Sequence, residues 1–177
     1  MTRLVCGVAA VLAASAALIA AQPIAVTPVV ADDRVFASFS TPTSFTDDIH
    51  EVVKSGLLVT FNYTVNLRRP SAVWFDRTLI STTVAAAVKF DNLTGVYQVS
   101  KLVDGQVVWS EQTKDLGEVR DWMTTFDKVA LVSRVPLEPN AEYYVQVSLR
   151  ATPKRTLSLW PWAGEEASGR ADFTFIR

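Results

Sequence analysis

From Leu58 to Arg68 the chain reads LVTFNYTVNLR, and after Leu58 apolar and polar residues alternate without a break. Val59, Phe61, Tyr63, Val65 and Leu67 fall on one side, and Thr60, Asn62, Thr64, Asn66 and Arg68 on the other. Successive side chains of extended backbone point to opposite faces, so this period of two predicts a strand with one face in the core and one in water. YYVQVSLR, residues 143–150, repeats the pattern, with Tyr143, Val145, Val147 and Leu149 inward. Further runs rich in Val, Thr, Tyr and Phe predict strands at 34–40, 77–90, 95–103, 106–111, 128–135 and 171–177. That composition is the one a half-buried pleated surface favours. Asp104-Gly105 sits between two of these runs and predicts a two-residue hairpin, since Gly accepts the positive φ of a type I′ turn.

Two stretches change period. In SFTDDIHEVVKSG, Ser44 can cap a helix with Asp47 three residues on. Phe45, Ile49, Val52 and Val53 then form one apolar stripe, and Gly56 is placed to end it. In DLGEVRDWMTTF, Asp115 can cap with Glu118 three residues later, and Leu116, Val119 and Met123 line one face. Seven or eight strands, two short helices and no strict alternation of strand with helix predict an antiparallel sandwich or a partly closed barrel. LEPNAEYYVQV narrows the choice. Its Leu137, Pro139 and Tyr143 resemble the tyrosine corner of immunoglobulin-like domains, where the phenol hydroxyl bonds back to upstream backbone. The expectation is a mainly β, immunoglobulin-like antiparallel sandwich with two short helices.

The N-terminus changes the picture of where this domain works. Arg3 precedes an unbroken apolar run from Leu4 to Ala21, and Pro23 and Pro28 follow before the first acids, Asp32 and Asp33. This is the layout of a secretory signal peptide, with small residues suiting cleavage after Ala21 or Ala31. The run is also just long enough to serve as an uncleaved membrane tether through residues 4–21. The expected organisation is a signal or anchor at 1–31 and one sandwich domain at 32–177, outside the cytoplasm in either case: in the periplasm, or anchored in the inner membrane. All 18 acids but only 16 of the 17 basic residues lie in that domain, a near-neutral balance without the concentrated basic field that nucleic acid requires. The one cysteine, Cys6, lies in the apolar leader, so the domain has neither disulfide nor thiolate metal site.

Candidate chemistry is sparse. LRRPSAVWFDRTL, residues 67–79, crowds arginines, two aromatics and an acid around Pro70, which ends the preceding strand because it has no N–H to donate. One reading is a strand-connecting loop in which Asp76 neutralises a neighbouring arginine and Trp74 or Phe75 covers the end of the core. The other is a cleft in which Arg68, Arg69, Trp74 and Asp76 hold an anionic or sugar-like group. SLWPWAGEEASGR raises the same pair of readings for Trp160 and Trp162, as a stacking platform or as anchors of a loop. The only histidine, His50, has Asp47 and Glu51 at helical spacing but no second imidazole or thiolate to make a metal site. A Ser-His-Asp hydrolase would need that same histidine, and no Gly-x-Ser-x-Gly elbow or glycine-rich phosphate loop is present. Asn62-Tyr63-Thr64 and Asn92-Leu93-Thr94 match glycosylation sequons, but Asn62 falls mid-strand and the leader is bacterial in style.

The order of these pieces resembles a known family. A strand and a short helix ending KSGLLVTFNYTV are followed by RRP with WFD, GVYQVS, VRDW, LEPNAEYYVQVSL and a closing DFTF. This is similar to the exported bacterial proteins grouped as domain-of-unknown-function family 4390, over about residues 33–177. The resemblance implies an envelope protein without an assigned activity, and in some relatives proximity to an envelope-stress or sensor-kinase operon. It supplies no catalytic residues. The expectation is a non-catalytic domain without cofactor or metal, whose partner is another envelope or inner-membrane protein. The alternative is a small-ligand or glycan-binding module built on the Arg and Trp loops.

Overall fold

The structure is a computed structural model that describes residues 24–32, 34–71, 75–131, 136–153 and 166–176. Among these residues nine strands and two helices follow in chain order: β1 Ala25–Ala31, β2 Arg34–Ser40, α1 Asp47–Lys54, β3 Val59–Arg69, β4 Arg77–Asp91, β5 Val96–Val103, β6 Gln106–Thr113, α2 Leu116–Thr124, β7 Thr125–Leu131, β8 Glu142–Pro153 and β9 Glu166–Thr174. They form two antiparallel sheets, one ordered β1-β2-β7 and the other β6-β5-β4-β3-β8-β9. In chain order these are the A, B and E strands of an immunoglobulin sandwich facing C″, C′, C, F and G, with α2 in the place of D and β6 added beyond C″. The expected sandwich is present. Its tyrosine corner is too, for the Glu138 N–H donates to the Tyr143 hydroxyl at 2.9 Å at the start of β8.

β3 runs through the middle of the larger sheet, paired with β4 on one side and β8 on the other. Its inward residues Val59, Phe61, Tyr63, Val65 and Leu67 are completely buried, while its outward residues are only half-buried. The core they enter is closed by Val35, Ala37 and Phe39 of β2 and by Phe126, Val129 and Leu131 of β7. Phe39, Tyr63 and Phe126 meet with ring centroids 4.9–5.1 Å apart, an aromatic cluster across the two layers. At its centre the Tyr63 hydroxyl donates to Met123 O and meets Thr41 Oγ1, each at 3.0 Å. Burial holds that phenol neutral, raising its pKa well above the ordinary value.

The helices cap two gaps. In α1, Thr46 and not Ser44 is the N-cap, accepting from Ile49 N–H, because the chain through Ser44 is still held in a turn by its own N–H to Thr41 O. Phe45, Ile49 and Val53 are buried as the stripe requires, and Gly56 takes φ +84° to close the helix end onto Val53 O. In α2, Asp115 caps by accepting from Gly117 and Glu118 N–H. Its own N–H goes to Thr113 Oγ1, whose hydroxyl donates to Glu118 Oε2, so the capping box closes through a third residue. Asp104 and Gly105 both have positive φ, as the β5–β6 hairpin turn demands.

β1 was absent from the sequence pattern. It pairs with β2 along its whole length, so the stretch expected to end the leader forms part of a sheet. Ile24, just before it, lies over β9 so closely that a Cβ on Gly169 would stand 2.1 Å from Ile24 O. Gly169 is there because only a hydrogen fits between the two chains.

Two outcomes follow. Gly169→Ala forces β1 off β9 and costs at least about 2 kcal/mol, read as a fall in Tm of several degrees; an unchanged melt refutes the crossing. Tyr63→Phe leaves the Met123 carbonyl without its buried donor and costs about 1–3 kcal/mol in urea unfolding with an unchanged slope.

Candidate functional site

The loop after β3 is built around Asp76. Arg68 leaves the outer face of β3 and donates from Nη1 to Gln146 Oε1 at 3.2 Å and from Nη2 to Asp76 O at 3.1 Å. The Asp76 carboxylate accepts from the Tyr144 hydroxyl at 2.6 Å and from Ser71 N–H at 3.1 Å. These two bonds, with the nearby Arg68, hold Asp76 below the usual carboxylate range. Tyr144 points outward on β8, as the alternation predicts, yet only 2% of it is exposed. The guanidinium of Arg170 lies 3.7 Å from its ring centre and that of Arg68 5.7 Å, covering it with two cations. Burial first, and then the Asp76 carboxylate, push the Tyr144 phenol up. Arg170 is also bound to Asp172 at 2.6 Å. Arg68 Nε is buried without a partner, the one such side-chain atom among the described residues.

Arg69 turns to the opposite face. It grips Glu138 with two bonds of 2.6 and 2.7 Å beside the Tyr143 ring, so the ion pair ties the end of β3 to the tyrosine corner. Each partner stabilises the other's charge, which lowers Glu138 and raises Arg69. The structure therefore brings Arg68 and Asp76 together and separates Arg69 from them. Trp74, Trp160 and Trp162 lie outside the described residues, while Phe75 is 92% exposed. Both Asp76 oxygens are engaged, and the guanidinium groups of Arg68, Arg69 and Arg170 each bind an internal partner, with Arg68 Nε left over. Tyr144, Gln146, Arg170 and Glu138 completed these networks without a signal in the sequence, because only the β3–β8–β9 register sets them beside the loop.

His50 Nε2 meets the Tyr97 hydroxyl at 3.0 Å, and Asp47 lies 3.8 Å from Arg120. Among the described residues no group of three or more His, Cys, Asp or Glu side chains could hold a metal ion.

The sheet edges offer a different kind of site. A strand at an edge has unpaired N–H and C=O groups and needs shielding. β7 carries a bulge in which Asp127 and Lys128 oppose Ser38, with Lys128 at φ +50° and its N–H given to Ser38 Oγ. β1 has Pro28, and β9 is crossed by Ile24. β6 is different. Its one bulge, where Val108 is the extra residue between Val107 and Trp109, leaves Val107 62% and Val108 60% exposed. Only Glu111 carries charge along the strand. Trp109, one residue further, turns inward against Trp122 of α2 with ring centroids 4.9 Å apart, so the edge is anchored where it meets the core.

Fold and site together define an immunoglobulin-type sandwich in which, among the described residues, β6 is an apolar edge strand without a second neighbour. The family model described as domain of unknown function DUF4390 matches residues 20–160, and the chain belongs to that family. The match begins before β1 and so includes the strand that crosses β9. No curated protein and no solved structure matches the chain.

Because Asp76 has a lower pKa folded than unfolded, its stabilisation is complete above about pH 4 and is lost as pH falls through the lower, folded value. Asp76→Asn is expected to be less stable at pH 7 and to lose less stability than the wild type between about pH 4 and pH 2. Equal acid sensitivity of the two proteins contradicts the assignment.

Proposed function

We propose that the chain is an exported, non-catalytic interaction domain that binds another envelope protein by accepting an extended segment of it along β6. The observation that carries this reading is the β6 edge, where the bulge leaves Val107 and Val108 in water, while the β7 bulge carries Asp127 and Lys128, β1 carries Pro28 and β9 is crossed by Ile24. An added strand gains affinity from main-chain hydrogen bonds and specificity from pockets for alternate side chains. Two exposed valines supply the apolar surface for such a pairing at about 25 cal/mol per Å² buried. The polar groups of Arg68, Arg69 and Asp76 act in this reading as closures of the sandwich end, which accounts for their internal partners. Export rests on the apolar run Leu4–Ala21 behind Arg3. No helix among the described residues is long and apolar enough to cross a membrane, and that run lies outside them.

The test is capture from envelope extract with tagged wild-type protein and with a Val107→Lys/Val108→Lys double variant. Charges on an edge oppose strand addition without entering the core. The expected result is a specific partner recovered by the wild type and lost by the variant, whose melt is unchanged. Recovery of no specific partner under several growth conditions, or equal recovery by both proteins, overturns the reading.

A further inference from the structure

Where the leader ends is decided by residues far from it. Ile24 is 4% exposed and lies across β9, where a Cβ on Gly169 would stand 2.1 Å from Ile24 O and 2.8 Å from Ile24 Cβ. Glycine inside a strand weakens it, so a glycine at this point of β9 serves the domain only while Ile24 is there. β1 then pairs with β2 over its seven residues, from Ala25 opposite Ser40 to Ala31 opposite Arg34. Its Val26 and Val30 pack against the core. The chain reverses through Asp32 at φ +51°, so the bond after Ala31 stands at the turn between two paired strands. A cut there would remove Ile24 and all of β1. It would bare Gly169 and leave β2 with β7 as its sole neighbour.

We propose that a membrane-bound leader peptidase cuts the chain between Ala21 and Gln22, and that β1 belongs to the exported protein. This rests on the export reading above and fixes a boundary which that reading leaves open. Ala20 and Ala21 offer the small side chains such a peptidase accepts, and only Gln22 and Pro23 separate them from Ile24. Water adds across the one amide, leaving a carboxylate on Ala21 and an amine on Gln22, with no other reactant. Every residue that β2 and β9 hold is thereby kept. Retention of the run as an anchor is opposed by its make-up. Eight of the 18 residues from Leu4 to Ala21 are alanine, whose single methyl gains less in lipid than the side chains of Leu, Ile or Val, and a span needs about 20 residues. The family match begins at residue 20, beside the same alanine pair.

The experiment expresses the full chain with a C-terminal tag in a bacterial host and separates envelope from cytosol. The N-terminal peptide of the purified protein is then read by mass spectrometry. The expected N-terminus is Gln22, as glutamine or as its cyclised pyroglutamate. An Ala20→Tyr/Ala21→Tyr variant, which removes the small side chains, is expected to lose the mature form and to accumulate as precursor in the membrane fraction. Ala31 is exposed, so Ala31→Tyr is expected to fold and to mature as the wild type does. An N-terminus at Asp32 overturns the proposal. So does an envelope protein that keeps Leu4–Ala21, or maturation that Ala31→Tyr blocks and the double variant does not. Cytosolic protein with its leader intact overturns the export reading as well, so the fractionation tells the two failures apart.

Discussion

The molecule depends on the strict alternation of β3. This strand is paired on both sides, and everything inward of it is core while everything outward is surface. A slip of one residue would carry Phe61 and Tyr63 into water and Asn62 and Thr64 into the aromatic cluster. The register is pinned at both ends of the strand: by the bulge where Leu79 is the extra residue opposite Leu67 and Arg68, and by Val59 facing Val88 and Pro153. Tyr63 adds the one polar anchor on the inward row. Its hydroxyl reaches α2 and the turn after β2, so the strand also fixes where the helix in the D position lies.

The second sheet is held to the first by a mixture of apolar contact and a few placed polar bonds. Lys101 points inward from β5 and donates to Thr125 O at 2.8 Å, with the Phe126 ring 4.8 Å and the Trp109 ring 5.5 Å away. Burial lowers the pKa of this amine, partly offset by Asp127. The charge is tolerated because a carbonyl and two ring faces replace its water. The same residues position β6, since Trp109 is shared between Lys101 and Trp122. Thus the strand that offers the open edge is rigid on its inner side and bare on its outer one.

Much of the fold could be read from the chain because its signals were local. β3 and the inward row of β8 announced themselves by alternation, the Asp104-Gly105 turn by its φ requirement, and the tyrosine corner by a short spacing. What could not be read was set by long-range pairing. β1 escaped because Pro28 and the small residues around it continue the look of a leader, and only its partner β2 makes it a strand. The family match starts at residue 20, before the start near 33 that the resemblance gave, and so takes in β1. β7 begins at Thr125 directly from α2, and β9 at Glu166, both earlier than their apolar stretches. The Arg68–Asp76 loop was visible as a cluster, but its contacts with Tyr144, Gln146 and Arg170 were not, since no spacing in the sequence connects these residues to it. Val107 and Val108 looked like ordinary strand residues until the topology placed them at an edge.

The sandwich rests on the two faces that β3 separates. A scan of single cysteines along it, in a Cys6→Ser background so that each introduced thiol is the only one, measures that separation directly. In the folded protein, thiols at positions 60, 62 and 64 are expected to react rapidly with a water-soluble maleimide. Those at 61, 63 and 65 are expected to react only after denaturant is added. Uniform reactivity along the strand, or the opposite alternation, would contradict the division of core from surface on which the sandwich stands.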